Sequence, residues 1–390
     1  MSIIEKFEAA AGILPKGASV VAAVSGGADS VALLHLLNTL PLSLTIAHFD
    51  HGTRAGRSAE DARAVARLGE RLGVRTVIET GDVERARKAM KMSFQEAARV
   101  LRHRFLEAAR ERLSADWIAL GHTAEDQVET LLINLLRGSG PRGLGAMAPV
   151  SGFHIRPLLT CYRDEIEAYL RKRGIDYLTD ASNSDRRYLR NRVRLDLVPA
   201  LQAINPRIKE TLLRTAQVLK DEDEFLEQSA RTRFRERFGK AAEGEAIPLQ
   251  GFRDQPVALK RRWMRQVICA RLGTLRRVRA GHIESLLDLV DHPRVGREVS
   301  LPGGLKAVAG YDSFYFSKTP RMSRRIQENE TTREPVWLAN PGRTSVPESG
   351  RVFVVRPISR HAAIALPACR NRVLLDGGLA GEKIGVRYFR

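Results

Sequence analysis

Cysteine is scarce in this sequence, with three residues in 390, widely separated and without a C-x-x-C pair. A zinc ribbon, an iron–sulfur ligand set and a redox dithiol therefore lack support, and so little cysteine suits a reducing compartment. No apolar run approaches the ~20 residues that span a bilayer. Residues 1–16 mix charged with apolar side chains, as an amphipathic helix does and a signal peptide does not. We expect a soluble, cytoplasmic protein with no membrane partner.

Acidic residues are in short supply relative to basic ones. The 64 lysines and arginines outnumber the 45 aspartates and glutamates, which gives a formal net charge of +19. A surplus of this size indicates a polyanionic partner, and nucleic acid is the first candidate. An arginine-rich proteome would produce the same composition, so charge alone leaves both explanations open. A chain of 390 residues is also long for one core, and two or three domains are expected.

The stretch S-G-G-A-D-S at residues 25–30 lies between an apolar run that predicts a buried strand, 18–24, and a run that predicts a helix, 31–37. Glycines and a helix N-terminus after a strand favour binding of a phosphate by backbone N–H groups. Ser25 and Ser30 add hydroxyl groups. Asp29 would repel phosphate, which suggests a bridging Mg²⁺ or a ribose contact. The spacing differs from G-x-G-x-x-G and from the P-loop, and no lysine follows. A purely structural turn is the alternative.

Strands and helices alternate over the first half of the chain. Strands are predicted at 18–24, 42–48, 74–79 and 116–120, and helices at 58–72, 93–113 and from 122 to 137. This order predicts an α/β fold with a doubly wound parallel sheet, in which ligands bind beyond the carboxyl ends of the strands. Polar clusters follow three of the predicted strands, at 25–30, 48–54 and 121–129. Their common location favours a binding site over a structural turn.

The helix after Gly121 carries candidate functional side chains on one face. His122, Asp126 and Glu129 are spaced four and three residues apart and therefore lie together. The apolar residues of this helix fall on the opposite face, which we expect to pack against the sheet; they are Val128, Leu131, Leu132 and Leu135. A solvated polar face is the alternative, since most helices have one.

The remainder of the chain is more basic and more helical. Five arginines and a tyrosine lie within residues 186–194, which could line a nucleic-acid groove or form an exposed helix. Long helices are predicted at 208–234, 253–272 and 282–290, followed by strands at 298–301, 305–309 and 313–317. The predicted domains are 1–200, 201–319 and 320–390: a Rossmann-like domain, a helical domain with a small β appendage, and a small β-rich C-terminal module.

Several motifs together resemble one family. S-G-G-A-D-S after a buried strand is similar to the pyrophosphate loop (PP-loop) of N-type ATP pyrophosphatases, which cleave ATP between its α- and β-phosphates. The other motifs follow in the order seen in the tRNA(Ile)-lysidine synthetase family: H-F-D-H-G-T-R (48–54), A-A-R-V-L-R-H-R-F (97–105), G-H-T-A-E-D-Q-V-E-T (121–130), R-P-L-L (156–159), D-A-S-N (180–183) and R-N-R-V-R (190–194). The resemblance is strong over about the first 200 residues, fair in the helical part and weak after about 319.

The resemblance implies a reaction on tRNA(Ile) with a CAU anticodon, with ATP and Mg²⁺ as cofactors. The wobble cytidine attacks the α-phosphate of ATP, pyrophosphate leaves, and the side-chain amine of L-lysine then displaces AMP to give lysidine. The anticodon thereby changes from methionine to isoleucine specificity. Such an enzyme positions phosphates, stabilises charge and orients an amine, and it flips the target base into its pocket. The basic helical domain is expected to bind tRNA phosphates.

The resemblance also implies roles for individual residues. The expected ligands of ATP are Ser25, Gly26, Gly27, Ala28, Asp29, Ser30, His48, Asp50 and Arg99, with His51 and Arg54 nearby. Asp29 acts through the metal, and Arg102 offsets charge on the α-phosphate. The expected lysine-binding residues are Asp126 and Glu129 for the ammonium group, and Arg190, Arg192 or Arg194 for the carboxylate. His122 is the candidate proton acceptor, so the proposed catalytic residues are Asp29, Asp126, His122 and Arg102.

Three other functions compete with this one. A tRNA thiolase of the same superfamily usually needs a cysteine pair or an iron–sulfur cluster, which Cys161 alone does not supply. An ATP-dependent amidotransferase or ligase for a small molecule would have no use for the basic surplus. A non-catalytic nucleic-acid-binding protein would not need polar motifs at several strand ends. A monomer and a homodimer both remain open.

Overall fold

The computed structural model describes residues 1–52, 57–179, 186–239 and 246–318, together with the backbone of four short strands further along the chain. The chain divides into two compact units, Met1–Arg233 and Phe234–Arg390. The domain boundaries at 200 and 319 stay a prediction. Arg54 and the motif at 180–183 lie outside the described residues.

The first unit alternates strands with helices, as the sequence predicts. Its strands are β1 Ser19–Ala23, β2 Ser43–Asp50, β3 Arg75–Thr80, β4 Trp117–Ala119, β5 Val150–Ser151 and β6 His154–Ile155. Its helices are α1 Ile3–Ala11, α2 Ala28–Leu37, α3 Arg57–Leu72, α4 Val83–Met90, α5 Phe94–Arg112, α6 Ala124–Leu136, α7 Pro141–Leu144, α8 Arg163–Lys172, α9 Leu189–Arg192 and α10 Val198–Ile204, and α11 Ile208–Phe238 begins in it. A π-helical turn, Val193–Leu197, joins α9 to α10.

The sheet of this unit has the strand order β3-β2-β1-β4-β6-β5. Its first five strands run parallel, and β5 is antiparallel at the edge. The chain moves outward from β1 to β2 and β3, then returns to place β4 on the other side of β1. This reversal makes a topological switch point, so a crevice is expected beyond the carboxyl ends of β1 and β4. The segments at 25–30 and 121–129 both begin there.

Apolar side chains cover both faces of the central strands β1 and β4, which is why these two strands are nearly continuous apolar runs. One cluster packs α2, α3 and α8 against the sheet through residues such as Leu33, Leu68 and Leu170. The other packs α5 against it through Phe105 and Leu106. A capping box begins α5 where the sequence predicts a helix: the side chains of Ser93 and Glu96 each accept a hydrogen bond from the other's backbone N–H. The doubly wound α/β prediction is confirmed.

One packing prediction is wrong. The apolar residues of α6 do not pack against the sheet; Val128, Leu131 and Leu132 form a separate cluster with residues of the π-turn, α10 and α11, and Leu135 is exposed. Helical periodicity shows which face is apolar, but the partner that covers it lies about 65 residues further along the chain. Helix α4, between β3 and α5, was not predicted from the sequence.

The second unit holds α12 Val257–Leu272 and α13 Ala280–Asp291 beside a four-stranded antiparallel sheet. The sheet order is β7-β10-β9-β8, with β7 Ala246–Pro248, β8 Glu298–Ser300, β9 Leu305–Ala309 and β10 Ser313–Lys318. Aromatic rings fill its core: Phe238 and Phe252 pack against Trp263, and Phe314 packs against Phe252. This arrangement agrees with the predicted helical domain and its β appendage.

Four strands follow in the last part of the chain: β11 Val336–Leu338, β12 Gly342–Val346, β13 Arg351–Val355 and β14 Ile384–Val386. They form two antiparallel pairs, β11 with β14 and β12 with β13. These strands lie within the C-terminal module predicted to be β-rich, 320–390. Within the part of the chain that the structure describes, no helix is long and apolar enough to cross a membrane.

Candidate active site

The turn at 25–30 joins β1 to α2 and has the shape of an anion site. Gly27 is the N-cap of α2, so the first N–H groups of that helix face the turn. Gly26 has φ +92°, a left-handed conformation that favours glycine. Its carbonyl accepts a hydrogen bond of 2.9 Å from the Leu178 amide. A Cβ at Gly26 would also lie 2.6 Å from the Leu178 side chain, so a larger residue would have to displace that side chain.

The two serines of the turn differ in exposure. Ser30 is buried, and its Oγ donates to the carbonyl of Gly27 at 2.9 Å while it accepts from the amide of Ser25 at 3.1 Å. Ser30 therefore holds the turn in shape. Ser25 is exposed, and its hydroxyl lies 3.2 Å from that of Ser30. Of the two, Ser25 is the hydroxyl that an incoming ligand can reach.

Asp29, the second residue of α2, is paired with a residue that the sequence analysis did not select. Its Oδ2 accepts a hydrogen bond of 3.1 Å from Nη2 of Arg163, at the start of α8. Its Oδ1 is buried and has no hydrogen-bond partner. Burial raises the pKa of the Asp29 carboxyl, and Arg163 opposes that shift. Helical and strand periodicity give no sign of this contact.

The residues at Asp29 fit a magnesium ion that is shared with phosphates. An unpartnered carboxylate oxygen is a ligand of the type that Mg²⁺ takes, and Mg²⁺ is often held by one or two carboxylates together with substrate phosphates. No group of three or more His, Cys, Asp or Glu side chains that could enclose a metal occurs among the described residues. An ion here would therefore depend on the nucleotide for most of its ligands.

The end of β2 contributes His48 and Asp50, both buried. Nδ1 of His48 lies 2.8 Å from the carbonyl of Val24, and because a carbonyl can only accept, this nitrogen carries the proton. Oδ1 of Asp50 accepts from the Gly52 amide at 2.9 Å. The His48 bond connects the ends of β1 and β2 beside the turn, and the Asp50 bond closes a local turn after β2. A direct contact of either residue with a nucleotide stays a prediction.

Asp126 and Glu129 on α6 lie in a cluster with two arginines. Arg190 donates from Nη2 to Asp126 and from Nε to Glu129, both at 2.6 Å. Arg194 donates to the two oxygens of Glu129 at 2.5 and 3.1 Å. Glu129 is only 2% exposed, so these carboxylates do not form a solvated polar face, which was the alternative interpretation of α6. Two carboxylates and two guanidinium groups make this cluster electrically neutral.

The ionisation of Asp126 follows from its surroundings. Burial opposes the charged form, but Arg190 and the amide of Thr123 outweigh burial and hold the pKa of Asp126 below its usual value. The structure thus brings Asp126, Glu129, Arg190 and Arg194 together. Arg192 is exposed and does not join them.

A group of arginines lies near this cluster. Arg99 and Arg102 lie one turn apart on α5. Arg102 is open to solvent on one side, yet protein atoms crowd its guanidinium and, with Arg99 and Arg190, lower its pKa. Arg156, in the R-P-L-L motif, donates to the carbonyl of Ala148 at 2.8 Å, and burial together with Arg99 lowers its pKa. Because Arg99 contributes to the lowered pKa values of both Arg102 and Arg156, the three arginines lie in one neighbourhood.

His122 lies between the acidic and cationic groups. Burial lowers its pKa to about 4, and Arg156, Arg190 and Arg102 act in the same direction against the attraction of Asp126. Its Nδ1 is buried without a hydrogen-bond partner. The imidazole is therefore neutral at physiological pH, with a nitrogen available to accept a proton.

Comparison with known proteins identifies the class of protein to which this chain belongs. Residues 3–201 match the family described as the PP-loop domain. The chain therefore belongs to the PP-loop family, whose members bind ATP at a turn of this kind.

The particular family is identified by relatives that align with most of this chain. The chain is 35% identical to tRNA(Ile)-lysidine synthase from Geobacter sulfurreducens over 90% of its own length and 74% of the relative's. It is 36% identical to the enzyme of the same name from Geobacillus kaustophilus, over 78% of this chain and 68% of that one. The chain belongs to the tRNA(Ile)-lysidine synthase family.

Among solved structures, the U34-tRNA thiolase NcsA from Methanococcus maripaludis aligns with a TM-score of 0.47 and 19% identity, over 56% of this chain and 78% of that one. Similarity at this level supports no conclusion about function.

Proposed function

We propose that this protein uses ATP to ligate L-lysine to the wobble cytidine of the minor tRNA(Ile) with a CAU anticodon, and that it releases AMP and pyrophosphate. One structural observation supports this proposal in addition to the family match. The PP-loop turn and the Asp126–Glu129–Arg190–Arg194 cluster start from neighbouring strands at the switch point of one sheet. This arrangement supports an ATP site with a site for a zwitterionic amino acid beside it.

In the first step, the 2-carbonyl oxygen of cytidine attacks the α-phosphate of ATP, and the bond to pyrophosphate breaks. Residues 25–30 hold the leaving pyrophosphate through backbone N–H groups and the Ser25 hydroxyl. Arg99 and Arg102 offset the charge that develops on the α-phosphate. Mg²⁺, held at Asp29 when bound, neutralises part of the phosphate charge.

In the second step, the side-chain amine of lysine attacks C2 of the adenylated cytidine, and AMP leaves. The amine must first lose a proton, and the neutral His122 is the proposed acceptor. Asp126 and Glu129 bind the lysine ammonium, and one of Arg190, Arg192 and Arg194 binds its carboxylate. Because Asp126 and Glu129 are already paired with arginines, lysine binding has to redistribute hydrogen bonds within this cluster.

The proposed reaction is tested by its products. The purified protein is incubated with ATP, Mg²⁺, labelled lysine and total bacterial tRNA. We expect AMP and pyrophosphate, together with label in tRNA that survives mild alkali, because the lysidine C–N bond is not an ester. Label that mild alkali removes would indicate an aminoacyl ester and would contradict the proposal.

The role of the acidic residues is tested separately with Asp126→Asn. This change should impair lysine use far more than ATP binding, since Asp126 lies outside the PP-loop turn. Asp164→Asn is a matched control, because Asp164 is exposed at the start of α8. Equal loss of ATP and lysine binding in Asp126→Asn would show that the carboxylate has a different role.

The cysteines argue against a thiolase. Cys161 is buried, and burial raises the pKa of its thiol to about 11, which disfavours the reactive thiolate. Cys269 is exposed in α12, in the second unit. Neither residue has a second cysteine nearby in the sequence. The described residues thus provide no dithiol for sulfur transfer.

A further inference from the structure

The PP-loop turn lacks a cation of its own. Residues 25–30 offer backbone N–H groups, two hydroxyls and one carboxylate, and no lysine follows them. P-loop nucleotide sites, in contrast, place a lysine directly on the phosphates. A leaving pyrophosphate carries several negative charges, and Asp29 adds another. The turn therefore needs a positive side chain from elsewhere in the fold.

Arg163 supplies a positive charge at this position. Its guanidinium lies 3.1 Å from Asp29 Oδ2, beside the N-terminus of α2 at which phosphate would bind. Within the part of the chain that the structure describes, no other cationic side chain forms an ion pair with the turn. The side chain is 33% exposed, so a ligand can reach it. A guanidinium has five N–H donors, and Asp29 accepts from one of them.

The backbone of Arg163 is fixed to the active-site helix α6. Its amide donates to Oε2 of Glu125 at 3.1 Å. Two residues earlier, the carbonyl of Cys161 accepts from the amide of Ala124 at 3.0 Å. These bonds join the start of α8 to the start of α6, close to the switch point. The backbone of Arg163 is therefore held near the turn by contacts that do not involve Asp29.

We propose that Arg163 binds the leaving pyrophosphate in this turn and takes the part that a lysine has in P-loop sites. Its planar fork can donate two parallel hydrogen bonds to phosphate oxygens, which a lysine cannot do. In the nucleotide-free protein the same group is held by Asp29. The inference rests on the proposed function, because it takes pyrophosphate to be the leaving group.

The test measures binding of inorganic pyrophosphate in the presence of Mg²⁺ by titration calorimetry, without tRNA or lysine. Arg163→Ala should weaken this binding at least about tenfold, since charge-assisted hydrogen bonds are lost. Arg163→Lys, which keeps the charge but not the fork, should lie between Arg163→Ala and the unchanged protein. Arg171→Ala, an exposed arginine on the same helix, is the matched control and should bind pyrophosphate within twofold of the unchanged protein.

AMP separates phosphate binding from a general structural effect, because AMP lacks the β- and γ-phosphates. Arg163→Ala should leave AMP affinity within twofold. Equal pyrophosphate affinity in Arg163→Ala and the unchanged protein would overturn the inference, as would a parallel loss of AMP binding. If the unchanged protein itself binds no Mg²⁺–pyrophosphate, the ATP half of the proposed function fails instead, so the two failures are distinguishable.

Discussion

The charged residues of the candidate site form two groups, one of paired carboxylates and guanidinium groups and one of neighbouring arginines. Asp126 and Glu129 are satisfied by Arg190 and Arg194. In contrast, burial and the nearby Arg99 lower the pKa values of Arg102 and Arg156. Groups of like charge that are held together gain most from an anionic ligand. An anionic ligand such as ATP or a tRNA phosphate would offset this concentration of positive charge.

His122 should make stability depend on pH. Its pKa is about 4 in the folded protein, against 6.5 as the ordinary value. Between pH 4 and 6.5 this histidine is protonated in the unfolded chain but neutral in the folded protein. The free energy of unfolding therefore decreases as the pH falls from 6.5 towards 4. The cost of protonating His122 is up to about 3 kcal/mol.

Urea denaturation at pH 4.5, 5.5 and 7 checks this expectation. His122→Asn should flatten the dependence relative to the unchanged protein. Other histidines with lowered pKa values, such as His35 and His103, contribute to both proteins and cancel in the comparison. An unchanged slope in the variant would show that His122 is not held neutral.

The pairing of Glu129 with Arg194 should be strongly coupled, because the carboxylate is almost fully buried. We expect Glu129→Gln and Arg194→Ala each to destabilise the fold. The loss in free energy of unfolding in the double variant should be smaller than the sum of the two single losses by about 1–3 kcal/mol. Chemical denaturation of the four proteins gives the coupling energy. The exposed pair Glu84–Arg87 on α4 is the matched control and should show much weaker coupling; similar coupling in both pairs would contradict the expectation.

At the scale of helices and strands, α6 connects the sheet to the helices that follow it. Leu132 is 4% exposed in the cluster with Val193 and Ala216, whereas Leu135 on the same helix is 54% exposed. Leu132→Ala should therefore cost about 2–4 kcal/mol, and Leu135→Ala less than about 1 kcal/mol. Thermal or urea denaturation measures both. Equal costs would show that α6 does not pack through this face.

Elements were predictable where the information is local. The apolar runs at 18–24 and 42–48 match β1 and β2, and the capping box at Ser93 set the start of α5. Contacts between distant segments were not predictable. Arg163 reaches Asp29 across 134 residues, and Arg190 reaches Glu129 across 61. Periodicity and capping describe neighbours in sequence, so they could select Asp126 and Glu129 as site residues but could not show what neutralises them.

At the scale of the whole molecule, the net charge of +19 is the property most directly linked to a tRNA partner. Release of counterions from nucleic acid makes such binding steeply dependent on salt. The proposed site itself contributes little of this surplus, because its carboxylates and two of its arginines cancel. The surplus must therefore lie mostly on the remaining surface.

The affinity of this protein for tRNA should accordingly fall steeply between 50 and 200 mM salt. About six phosphate contacts would lower it roughly a thousandfold over that range. ATP affinity, measured in the same buffers, should change far less, because ATP occupies a single local site. Fluorescence anisotropy with labelled tRNA gives the slope, and an uncharged osmolyte at matched osmolality controls for nonionic effects. A loss of tRNA affinity below about tenfold would show that the basic surplus reflects composition rather than a nucleic-acid surface.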